Sequence, residues 1–190
     1  KIEPIALDEA YLDVTNSRYC DGNPETMARQ IRQKIFDDFK LTASAGISSN
    51  KFLSKIASNW NKPNGQFSIK DNEIDEFILK VPIRKIFGIG EKNEKKLLSY
   101  KIKNCADLQT LDKSQLIDIF GKYGITLFYL CRGMDNREVE SNKISKSLSV
   151  EDTFSTDLLT LEECVNQMKL IFKKLTSRLK ESNNKNRPVK

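Results

Sequence analysis

The sequence predicts an α+β fold built in two successive styles. Up to about Leu79, short β-prone runs alternate with amphipathic helical stretches. After Val81-Pro82 the pattern changes to short helices separated by glycine turns. A third observation closes the chain: a strand candidate over 147–154, then a long apolar stripe at helical spacing.

Taken in order, residues 4–6 and 11–14 read as two short strands around an Asp8-Glu9 corner. Residues 24–39 read as a helix. Pro24 sits at a first helical position, Asn23 can cap it, and Ile31, Ile35, Phe36 and Phe39 share one face. Small and β-branched residues over 42–47 predict a strand. Residues 50–60 predict a helix through Phe52, Leu53, Ile56 and Trp60, with Phe52 and Trp60 expected in a core. Lys62-Pro63-Asn64-Gly65 is a turn signal, followed by a strand at 66–69 and a helix at 71–79. Short helices are expected at 83–87, 91–100, 105–110, 113–120 and 123–131. Residues 133–146 read as a polar linker. The last helix spans 161–181 on Leu161, Cys164, Val165, Met168, Ile171, Phe172, Leu175 and Leu179, and the tail 182–190 reads as a turn into another strand.

The net charge is +6, and its distribution says more than its size. Residues 81–103 carry 7 basic and 2 acidic side chains, and residues 169–190 carry 8 and 1. Two basic blocks between neutral or acidic ones suit a polyanion such as nucleic acid, and equally suit solvated lysine-rich helix faces. There is no histidine, which excludes imidazole acid–base work and histidine metal sites in this chain. Cys20, Cys105, Cys131 and Cys164 are far apart and lack metal-ligand pairing. Scattered thiols, with no long apolar run, fit a reducing compartment and no membrane span.

Three patterns carry chemistry. Asp8 and Glu9 are adjacent carboxylates between apolar strand ends, a costly place for charge unless a divalent cation compensates it. An exposed turn with ordinary acids is the plainer reading. Lys51 and Lys55 are four apart on one helix face, behind a Ser48 to Asn50 cap region whose helix N-terminus favours anions. Two solvated lysines are the plainer reading there. Gly88, Ile89 and Gly90 separate two short helices, with Lys92, Lys95 and Lys96 just after. In such a hairpin, glycines let backbone amides approach a phosphate without reading base sequence. A bare helix–helix turn is the alternative.

Four motifs then occur in one family's order: LDEAYLDV at 7–14, GISSNKFLSKIAS with NKPNGQ at 46–66, VPIRKIFGIG at 81–90, and KSLSVEDTFS at 146–155. Together they resemble the Y-family DNA polymerases, within them the DinB/kappa branch, and the last two look closest to the eukaryotic kappa type. The resemblance implies a partial polymerase palm over 1–80, a small all-α helix-hairpin-helix thumb over 81–140, a linker at 141–147, and an incomplete α/β little finger over 148–190. It implies that Asp8 and Glu9 are the catalytic, metal-holding pair and that Lys55 contacts the incoming triphosphate. It implies that Gly88, Ile89, Gly90, Lys92 and Lys95 hold DNA backbone. Two Mg²⁺ ions, primer-template DNA, a deoxynucleoside triphosphate, and a sliding clamp reached through regions outside this chain come with it. So does a nuclear location for a kappa-type protein, or a cytoplasmic one otherwise. The family's first catalytic aspartate, its fingers and the remaining little-finger strands have no counterpart here, so the chain is expected to be an incomplete and inactive piece. The competing functions are a non-catalytic hairpin module that binds DNA, and a hairpin-bearing nuclease.

Overall fold

The computed structural model describes residues 1–141 and 147–183. Asn23 accepts the Thr26 N–H at 2.8 Å and Pro24 opens the helix, so α1 runs Pro24–Phe39. Asn50 accepts the Leu53 N–H at 2.9 Å and starts α2, Lys51–Ser58. β1 (Ile2–Pro4) pairs antiparallel with β2 (Ala10–Leu12), which places Glu3 opposite Tyr11. β3 (Ala45–Ile47) pairs parallel with β4 (Gln66–Ser68), and α2 is the crossover between them. A Cβ on Gly46 would lie 2.0 Å from the Ser54 carbonyl oxygen, so only glycine lets α2 rest this closely on β3.

The helical part follows as α3 (Ile74–Leu79), α4 (Glu91–Ser99), α5 (Cys105–Gln109), α6 (Lys113–Phe120) and α7 (Lys122–Leu130). Asn104 and Asp112 cap α5 and α6 with reciprocal side-chain bonds from Asp107 and Gln115. One continuous core joins Phe52, Leu53 and Ile56 of α2 to Ile78, Val81, Ile86, Leu97, Leu108, Leu116 and Leu127. Trp60 is partly exposed but packs with Phe67 and Phe77, with ring centroids 5.8 and 4.8 Å away.

The chain divides into two compact units, Lys1–Ser141 and Asn142–Lys190. The boundary near residue 80 implied by the resemblance falls inside the first. In the second, α8 spans Leu161–Asn183.

Several expectations need correction. The first two strands lie at 2–4 and 10–12 rather than 4–6 and 11–14, so Asp8 and Glu9 sit in a five-residue loop instead of a tight corner. The strand expected over 42–47 shortens to three residues, and the helix expected over 83–87 is a 3-10 turn at Ile83–Lys85. The strand candidate over 147–154 does not form. A strand needs a ladder partner for its backbone, and no strand lies among the described residues of that unit. Its groups turn to α8 instead: Arg178 donates to the Ser149 carbonyl at 2.9 Å, and Lys174 pairs with Asp152. The expected turn at 182–190 begins as helix, since α8 continues through residue 183; residues 184–190 and linker residues 142–146 lie outside the described residues.

Candidate active site and nucleic-acid interface

The loop between β1 and β2 is held by its own backbone. The Ile5 and Ala6 N–H groups both donate to the Glu9 carbonyl, at 2.8 and 3.3 Å. Leu7 and Asp8 are thereby pushed fully outward, and Glu9 turns toward α2. Lys55, one turn into α2, meets it: Lys55 Nζ lies 2.5 Å from the Glu9 carboxylate. Residues 46 apart in sequence thus converge, and Asp8, Glu9 and Lys55 line one open cleft. The Glu9–Lys55 pair is accessible, with side chains 36% and 29% exposed, so either partner can exchange for a ligand.

Lys51 is different, although sequence spacing puts it on the same face. Its ammonium lies 2.6 Å from Glu3, with both side chains about nine-tenths buried, and also donates to the Glu138 carbonyl at 3.1 Å. The Tyr11 ring lies beneath it at 4.9 Å. Lys51 is consumed by structure, whereas Lys55 is placed for exchange.

Asp13 does not join the acid pair. Its carboxylate accepts the Thr15 N–H at 3.1 Å, and Thr15 holds its pKa below the usual aspartate range. Among the described residues, no group of three or more Asp, Glu, Cys or His is arranged to hold a metal. The site therefore offers two carboxylates, a fit for part of a metal's coordination and not all of it.

The stretch read as a polar linker begins as a strap. Asn50 Nδ2 donates to the Gly133 carbonyl at 2.9 Å, and Asp135 accepts the Phe52 N–H at 3.0 Å, adding a second cap to α2. Arg137 grips the buried Asp135 carboxylate with two bonds of 2.7 Å. Burial works against the Asp135 charge, but the Arg137 bonds and the backbone N–H donors outweigh it and hold its pKa below the ordinary value. Its contribution to stability is therefore present at neutral pH. It is lost as the pH falls from the ordinary aspartate value of about 4 through the lower folded value. We expect Asp135→Asn to lower stability at pH 7 and to flatten the loss of stability on acidification, as read by denaturant unfolding at both pH values. An unchanged acid profile would count against this role. Sequence reading missed Asp135, Arg137 and Glu3; the only signal was an aspartate two residues before an arginine just past a helix.

In the hairpin, Ile89 is buried as an anchor and Gly88 turns the chain at φ +91°. The Tyr123 hydroxyl donates to the Phe87 carbonyl, and a Cβ on Gly88 would lie 2.5 Å from that hydroxyl. Gly90 differs. Its φ of −79° suits any residue, and a Cβ there would meet nothing within 4 Å. Gly90 opens α4 and no side chain caps the helix there. Lys92 and Lys95 are exposed beside it, Lys95 pairing with Glu91 at 2.7 Å. Lys96 is spent internally on the Ile119 carbonyl and the Phe120 ring.

Residues 1–59 match the impB/mucB/samB family, and residues 84–135 match the thumb domain described for DNA polymerase iota. A DNA polymerase IV of Francisella philomiragia is 45% identical over 185 residues, 97% of this chain and 53% of that protein. One from Protochlamydia amoebophila is 48% identical over 183 residues, 96% of this chain and 52% of that protein. The crystal structure of DinB from Sulfolobus solfataricus superposes with a TM-score of 0.68 at 35% identity, over 74% of this chain and 42% of that one. The chain spans about half the length of the curated relatives it matches. With both family matches falling where the acid loop and the hairpin lie, the chain belongs to the Y family of DNA polymerases, on its DinB side.

Proposed function

We propose that this chain carries the acid pair, the triphosphate lysine and the DNA grip of a template-directed DNA polymerase that extends primers across damaged template. The convergence of Asp8, Glu9 and Lys55 carries the reading. A module that only binds DNA needs a hairpin but has no use for an exchangeable acid–lysine pair 46 residues apart. Solved relatives include an insertion ternary complex of the Dbh DNA polymerase, 35% identical, which supports primer-template DNA and a nucleotide as the partners.

The chemistry follows from the residues. Lys55 leaves Glu9 for the incoming triphosphate, a compact charge exchanging one anion for another. Glu9, now free, and Asp8 are the two groups of this chain that would hold Mg²⁺. When bound, such ions neutralise charge on the phosphates and favour in-line displacement. Backbone amides at Gly90, with Lys92 and Lys95, hold the duplex through its phosphates. A sliding clamp reached through regions outside this chain, and a nuclear location for a kappa-type protein or a cytoplasmic one otherwise, belong to the same proposal. Among the described residues, no helix is long and apolar enough to cross a membrane.

The test is a chimera in which this chain replaces the matching segment of the Francisella philomiragia polymerase. We expect it to add the templated nucleotide to a primer in Mg²⁺. A folded chimera that binds primer-template but adds nothing would refute the reading.

The grip has its own prediction. Gly90→Ala should fold normally and weaken binding to unrelated duplexes alike, because only an approaching phosphate meets the added methyl. Gly88→Ala should instead destabilise the protein, at about 1–2 kcal/mol for the left-handed backbone alone. Fluorescence anisotropy on several DNA sequences, with thermal melts, separates the two. Unchanged affinity in Gly90→Ala would remove Gly90 from the interface.

A further inference from the structure

We infer that Glu3 and Lys51 are positioning residues that set the register of the acid loop against Lys55, with residues 133–141 as the strap that locks them. The inference rests on the polymerase reading for its purpose but not for its test. Three separate parts of the chain meet at one buried ion pair. Glu3 lies on β1, five residues before Asp8. Lys51 lies on α2, one turn before Lys55. The Glu138 carbonyl accepts from Lys51, and the Glu140 N–H donates to Glu3 at 2.8 Å. The strap also reaches β1 through the Ile2 N–H, which donates to Ser141 Oγ at 3.3 Å, and reaches α2 through Asp135 and Gly133.

The geometry explains why a buried lysine stands here. A charged pair at this depth is weak support for stability, since apolar replacement of both partners is often neutral or better. What such a pair does well is fix one arrangement. From its place on α2, the Lys51 ammonium reaches Glu3, the Glu138 carbonyl and the face of Tyr11 together. Because β1 and α2 continue directly into the loop and the lysine of the site, that arrangement fixes the Glu9–Lys55 distance. Without it, the loop still has its own backbone bonds to Glu9 and the exposed Glu9–Lys55 pair, neither of which ties β1 to α2 through a buried contact.

The test separates positioning from mere stability. Lys55 is labelled with an amine-specific acetylating reagent in the full chain, and its rate is compared by peptide mass spectrometry with that of the exposed Lys70. Glu9→Gln calibrates the readout and should speed Lys55 labelling severalfold. The double variant Glu3→Gln/Lys51→Met removes both charges, so its melting temperature should stay near that of the parent. Its Lys55 should nonetheless label severalfold faster, approaching the Glu9→Gln rate, with Lys70 unchanged. Parental labelling of Lys55 in a folded double variant overturns the inference, because the pair is then structural filling only. Should the double variant not fold, Glu3→Asp, which keeps a charge opposite Lys51 but shortens its reach by one methylene, is judged by the same criterion. No polymerase activity enters these measurements, so a chimera that fails to extend primers would strike the functional reading and leave the positioning result standing.

Discussion

Asp8→Ala and Glu9→Ala, each placed in the chimera, should slow nucleotide transfer by ~10²–10³-fold or more, the scale of losing one preorganised electrostatic group. Stability and DNA affinity should hardly move. Asp8 is exposed at a loop whose shape comes from backbone bonds to the Glu9 carbonyl, so its side chain has little folding work to do. Glu9 pairs with a lysine that is itself accessible, and such pairs contribute about 0–1 kcal/mol. Loss of activity without loss of fold is therefore the signature of groups that act on the ligand. Single-turnover extension, anisotropy on primer-template and a thermal melt on each variant make the comparison. Activity within tenfold of the parent in both variants would mean that the acid pair is an ordinary turn.

The second large effect divides the two lysines of α2. Lys55→Ala should reduce nucleotide incorporation on the order of 10²-fold, as removal of a charge aimed at the reacting phosphates does. Stability should fall by no more than about 1 kcal/mol, because its partner Glu9 stays solvated. Lys51→Ala should do the reverse at the level of the fold. It takes the buried ammonium away from Glu3, and breaking a buried pair from one side costs about 3–5 kcal/mol. Denaturant unfolding and nucleotide titrations on both variants decide the matter. If the two variants lost the same stability and the same incorporation, the helix face would be a general basic surface and the division of roles would fall.

That division shows what sequence can and cannot reveal. Lys51 and Lys55 have the same side chain and share a face by spacing, and nothing local says which one is buried. The difference comes from Glu3, 48 residues away in sequence, and from a strap 87 residues away. Local chemistry was readable where one residue type has one strong local use. Asn23 with Pro24, and Asn50 before an apolar run, start helices where expected. The glycine hairpin was visible too, but not the contrast within it, because Gly88 is demanded by φ and Tyr123 while Gly90 is demanded by nothing inside the protein. Strand limits were the weakest reading. Three-residue ladders end where the partner ends, and the strand candidate at 147–154 finds no ladder among the described residues. The strap was hidden by its composition: Asp135, Asn136, Arg137 and Glu138 look like solvated linker until α2 supplies a free amide for Asp135 to cap.

Whether Asp8 and Glu9 are metal ligands at a nucleotidyl-transfer site is decided most directly by an exchange of ligand and metal. Asp8→Cys in the chimera replaces a hard carboxylate with a soft thiolate, which binds Mg²⁺ poorly and accepts Mn²⁺ and Cd²⁺ better. Primer extension should be lost in Mg²⁺ and recovered in part when Mn²⁺ or Cd²⁺ is added. The parent and Asp8→Ala should show no such gain. The same residual extension by Asp8→Cys in every metal would contradict the assignment, since the side chain at position 8 would then have no part in holding the ion.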